Sequence, residues 1–118
     1  MKVRRLSIGF KLSGIRQLPM DLRELPIPPD VENDPKALEL MRVWAAHGKQ
    51  HVSLATNLWD DPRCWGIMLV DLAKHIALAY ELSSGKDSTG VLGRIREGFD
   101  AEWMTATDKP SGNLLGEP

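Results

Sequence analysis

The clearest hydrophobic period begins after residue 60. Trp65, Leu69, Leu72, Ile76 and Tyr80 recur at steps of three and four, with Met68, Ala73 and Ala79 widening the apolar face and Asp71, Lys74, His75 and Glu81 on the other side. That spacing predicts an amphipathic helix. Asp60-Asp61-Pro62 supplies a cap, acids at the positive dipole end and a proline near the first turn, and Ser83-Ser84-Gly85 ends the helix. A second helix is predicted from near Asp87-Ser88-Thr89, with Leu92, Ile95, Phe99 and Trp103 as its stripe and Arg96 and Asp100 as an i,i+4 ion pair. Gly90, Gly93 and Gly98 lower its helical propensity, and close helix packing or a frayed first turn would account for them.

Upstream the period changes to two. His51-Val52-Ser53-Leu54-Ala55-Thr56 alternates like a strand and needs a partner. The preceding run, Ala37 to Ala46, has helix-forming residues, with Asp34-Pro35 as a start and Gly48 as a stop. It also reads as a strand with Met41, Val43 and Ala45 on one face and Leu40, Arg42 and Trp44 on the other. His47-Gly48 between the two runs suits a tight hairpin turn, because glycine supplies the positive φ that a primed turn demands. The reading is therefore a hairpin, residues 38–46 paired with 50–56.

Leu25-Pro26-Ile27-Pro28-Pro29-Asp30 reads as an extended, polyproline-like lead-in, a strap packed on its own domain. Before it, residues 1–19 hold Lys2, Arg4, Arg5, Lys11 and Arg16 and no acid. Their apolar residues fit neither period over the whole stretch, and Gly9 and Gly14 interrupt them. This is expected to be a loosely ordered basic extension, with Met20 as a second candidate start and residues 20–118 as one domain ending in an irregular tail.

The charge is uneven. Five cationic side chains in residues 1–19 leave the other 99 residues at a net −6, against −1 for the whole chain. An acidic body argues against a general nucleic-acid binder, and the basic arm has almost no aromatic residue on which a base could stack. At 42% hydrophobic and 26% charged residues, the 118-residue chain matches an ordinary globular protein. Its longest apolar run, Ile67 to Val70, is far below the ~20 residues of a membrane span. One cysteine, Cys64, allows no intrachain disulfide, so a cytoplasmic protein is expected.

Leu-Pro-Ile-Pro-Pro (25–29), Met-Arg-Val-Trp (41–44), His-Val-Ser-Leu (51–54), Asp-Asp-Pro-Arg-Cys-Trp-Gly-Ile (60–67) and Phe-Asp-Ala-Glu-Trp (99–103) together resemble a family of short alphaproteobacterial proteins, the domain of unknown function numbered 5076. The resemblance covers about residues 25–115 and excludes the arm. Family members often carry Asp-Gly where this chain has His47-Gly48, which implies the hairpin. The resemblance implies no activity, cofactor or catalytic residue.

The residues themselves carry little chemistry. His47 and His51 are four apart, but Gly48 intervenes, and a metal site would need His75 and a carboxylate to converge on them; no metal is expected. Asp71 and His75 share a helix face and read as a solvated pair rather than an acid–base couple. Cys64 in the first helical turn reads as a small structural residue. Trp44, Trp59, Trp65 and Trp103 are large enough to anchor a core or an interface.

The expected architecture is α+β: a β-hairpin followed by two α-helices. A lone hairpin is marginal in water and its edges invite pairing, so two chains are expected to join their hairpins into a four-stranded sheet. Association, with a second copy or another protein, is the expected function, with Val43, Trp44 and Val52 near the interface. The alternative is a small-ligand or enzymatic site between hairpin and helices, using His51, Trp65 or His75 and no cofactor.

Overall fold

A computed structural model of the chain describes residues 3–8, 23–105 and 111–115. In chain order the elements are β1 (Val3–Ile8), the single-turn helix α1 (Pro29–Glu32), β2 (Met41–Ala46), β3 (Lys49–Ala55), α2 (Arg63–Ser84), α3 (Ser88–Met104) and β4 (Ser111–Leu115). They fall into two compact units, Met1–Thr56 with Pro110–Pro118, and Asn57–Lys109.

The hairpin is present, and its register puts Val43 opposite Val52 and Trp44 opposite His51. His47 and Gly48 both take positive φ, 53° and 70°, which is the geometry of a type I′ turn. Right-handed strand twist favours that turn, so these two residues fix the register and decide between strand and helix for residues 41–46. The strands are antiparallel and two helices follow, as the sequence predicts.

The sheet has four strands within one chain, in the order β2-β3-β1-β4. β1 pairs antiparallel with β3, Leu6 opposite Val52, and β4 pairs antiparallel with β1, Val3 opposite Leu115. Two expectations change here. The basic arm supplies an interior strand, and the tail supplies an edge strand. The edge of β3 expected to be open for a second hairpin is filled by β1. Over Val3–Ile8 alone the residues suit a strand, but reading the arm as one block with Gly9 and Gly14 hides it. Ser111-Gly112-Asn113 has poor strand propensity, so β4 owes its form to pairing rather than to local preference. The rest of the arm lies outside the described residues.

The proline-rich lead-in is mostly extended, but α1 begins at Pro29, the first helical position, where a proline is tolerated. The lead-in lies along β2 as a strap. Arg42 on β2 bonds the Glu39 carboxylate through Nε and Nη2 at 3.2 and 2.9 Å, and its Nη1 lies 3.7 Å from Glu24. The Glu39 hydrogen bonds and charge, with Glu24 behind them, hold the pKa of Arg42 above its ordinary value.

In the second unit α2 and α3 pack together as a helical hairpin with three connecting residues. Asp61 Oδ1 accepts the backbone N–H of Arg63 at 3.0 Å as α2 begins. Gly85 ends α2 at φ 72°, its N–H donating to the Glu81 carbonyl, and the Asp87 carboxylate caps α3 by accepting from Gly90 N–H. Among the described residues no helix is long and apolar enough to cross a membrane.

Among the described residues the buried apolar side chains are few. Val52 and Ala55 form the described core of the sheet unit, and Ala77, 2% exposed, that of the helical unit.

Candidate association surface

The surface is built on α2. Its apolar residues fall into two seams, each with the alternating four- and three-residue steps of helix-in-helix packing. Gly66, Val70, Ala73, Ala77 and Tyr80 form one seam, and Trp65, Leu69, Leu72, Ile76 and Ala79 the other. Together they span roughly 180° of the helix circumference at ~100° per residue.

α3 packs over the middle of the first seam, and Val70 and Tyr80 of that seam remain 56% and 47% exposed. Ala77 is buried and Ala73 half-buried, and small side chains there let the helices approach. The second seam is left at the surface: Leu69 is 46% exposed, Leu72 40% and Ile76 49%. Large apolar side chains of both seams are thus half-exposed. Trp65 at its start is half-buried and meets Trp59 edge to face, ring centroids 5.1 Å apart.

Beside the contact with α3 runs an apolar groove of about 450 Å³, lined by Leu69, Val70, Leu92, Ile95 and Phe99 with Gly66 and Gly93. A Cβ added at either glycine would meet nothing within 4 Å, and the same holds at Gly98. Close helix packing therefore does not explain these glycines. At the far end of α3 Phe99 stacks on Trp103 at 5.5 Å, and Trp103 is exposed.

Three charged pairs on the two helices close locally. Arg96 Nε donates to Asp100 at 2.9 Å, the i,i+4 pair expected from sequence, and Arg94 pairs with Glu97. His75 Nδ1 donates to the Asp71 carbonyl at 2.8 Å with the Asp71 carboxylate 3.5 Å away, and both side chains are exposed. This is the solvated pair expected.

The other candidates lie elsewhere. His51, half-buried on β3, donates from Nε2 to the Ala46 carbonyl at 3.2 Å, while Trp65 and His75 belong to the helical unit. His47 occupies the hairpin turn, and among the described residues no three His, Cys, Asp or Glu side chains are grouped to hold a metal ion. Cys64 is a half-buried free thiol. Of the three interface candidates, Val43 on the edge strand β2 is 49% exposed, Trp44 is half-buried, and Val52 is 7% exposed in the chain's own core. Sequence reasoning missed the second seam as a surface.

No curated protein matches the chain. A solved structure, "Structure of a putative pyruvate dehydrogenase from the photosynthetic bacterium Rhodopseudomonas palustrus CGA009", is similar at 36% identity and a TM-score of 0.59, over 74% of this chain and 88% of that one. The model of the domain of unknown function DUF5076 matches residues 24–107, which take in α1, β2, β3, α2 and α3. The chain belongs to the DUF5076 family.

Proposed function

We propose that this protein acts by association, docking a helical partner on the open seam of α2. The observation that carries the reading is the half-exposure of Leu69, Leu72 and Ile76 along one stripe of α2, beside the buried Ala77 and half-buried Ala73. Water exposure of such a stripe is unfavourable by about 25 cal/mol per Å² of apolar surface, so a partner that removes it gains that free energy. A dehydrogenase reading has less support, because His75 is turned to its own helix's Asp71 and His51 to the Ala46 carbonyl. A lone cysteine, Cys64, fits a reducing compartment, and the proposal places the protein in the cytoplasm.

The test is site-specific photo-crosslinking of the full chain in the cells that make it. A photo-reactive residue at Leu72 is expected to give a discrete adduct, and the same probe at Lys74, on the polar side of α2, is expected to give none. No discrete adduct from position 72, or equal adducts from both positions, would overturn the reading.

A further inference from the structure

We propose that the proline-rich strap is a guard on the outer edge of β2, an autoinhibitory contact that keeps a further strand from joining the sheet there. The inference concerns the sheet unit alone and stands apart from the α2 seam. Three observations lead to it.

The first is the hydrogen-bonding parity of β2. The Leu40 carbonyl accepts the Ala55 N–H at 2.9 Å, and in an antiparallel ladder such exchange recurs at every second residue. Arg42, Trp44 and Ala46 therefore turn their backbone groups toward β3, opposite Ser53, His51 and Lys49. Met41, Val43 and Ala45 turn theirs outward, to the side where β2 has no neighbouring strand. A row of outward N–H and C=O groups is a template for strand addition, and Met-Arg-Val-Trp has the β-branched and aromatic residues that suit it. The opposite edge, β4, is a weaker template, being five residues long with Gly112 and Asn113 inside it.

The second is the place of the strap. A groove of about 410 Å³ runs beside β2, with Met41 and Val43 on one wall and Glu24, Pro26, Ile27 and Pro28 among the residues of the other. An added strand has to lie ~4.8 Å from β2, in the space that this second wall bounds. Arg42 Nη1 and the Glu24 carboxylate, 3.7 Å apart, tie the strap to the strand. At that distance the tie is a charge contact without a hydrogen bond, so it holds the strap lightly.

The third is the strap's own chemistry. Among the described residues no backbone hydrogen bond joins it to β2. Pro26, Pro28 and Pro29 have no N–H to offer, and each proline also restricts the residue before it. The strap thus runs along an edge that it cannot extend. A covering segment rich in proline is one of the ways in which an edge is closed to other chains.

Light scattering on full-length chains tests this. One variant carries Glu24→Lys, Pro26→Gly, Ile27→Gly and Pro28→Gly, which reverses the charge contact and frees the strap's backbone. Its self-association is expected to be at least ~10-fold tighter than that of the unsubstituted chain, whatever the level of the latter. Adding Val43→Pro is expected to abolish the gain. A proline there removes an outward donor and leaves the hydrogen bonds between β2 and β3 in place.

Should the strap variant lose its circular dichroism, Glu24→Lys alone takes its place, and Val43→Lys replaces the proline on the same condition. No gain in association on loosening the strap, or a gain that the change at position 43 leaves intact, would overturn the proposal.

Discussion

Val52→Asp is expected to cost about 3–5 kcal/mol of folding stability, the penalty of an uncompensated buried charge, out of a total of about 5–15 for a typical domain. Val52 is 7% exposed on β3, which is flanked on one side by β2 and on the other by β1. A carboxylate there would lose most of its water. Val43→Asp is the control. Val43 is directly opposite Val52 in the hairpin register, yet it stands on the edge strand β2 and is 49% exposed. A surface substitution of that kind usually stays within about 0.5 kcal/mol, with a little more here for lost strand propensity. Urea titration of both variants followed by circular dichroism reads the contrast. Equal losses for the two would mean that Val52 is not covered by β1, and the four-stranded sheet would be wrong.

The second large effect separates the two seams of α2. Ala77→Leu is expected to destabilise the helical hairpin by about 1–3 kcal/mol, because Ala77 is 2% exposed against α3 and a larger side chain forces the helices apart. Ala79→Leu, two residues on, puts the same side chain at the next position of the open seam, where Ala79 is exposed. The fold is expected to tolerate it. Association is expected to tighten at least tenfold, since one more buried leucine contributes about 1.5–3 kcal/mol and ~1.4 kcal/mol is a factor of ten. Thermal melts read the first effect, and dilution across the dissociation constant reads the second. The opposite ranking, with position 79 sensitive to bulk and position 77 indifferent, would place α3 on the wrong seam.

Much of this fold is legible in the sequence because local rules and tertiary packing agree. The hairpin follows from period-two alternation and a turn whose second residue is Gly48, and the helices follow from period, the capping Asp87 and the closing Gly85. The strands from the chain ends are not legible in the same way. β4 contains Ser111, Gly112 and Asn113, residues that a strand disfavours, and β1 carries two adjacent arginines within a longer basic stretch. Their form comes from pairing between segments about a hundred residues apart, which no local window can register. α1 is a smaller case: three prolines in four residues suggest an extended segment, yet the last of them starts a helical turn.

The candidate site shows a different limit. Hydrophobic periodicity identifies Trp65, Leu69, Leu72, Ile76 and Tyr80 as one apolar stripe, and that much holds. It does not say what covers the stripe. The largest side chains suggested the core, but α3 packs where the side chains are smallest, over Ala73 and Ala77, since closer approach brings more backbone and side-chain atoms into contact. The dimer expected from sequence rested on open hairpin edges, and β1 removes one of them. The other edge, that of β2, stays at the border of the sheet.

The central claim is tested most directly by the photo-crosslink from position 72, repeated with Ile76→Glu added on the same stripe. A single chain has a mass of 13.2 kDa. The account expects a discrete adduct above that mass, and its loss when Ile76→Glu is present. No adduct, or an adduct that Ile76→Glu leaves intact, would contradict it.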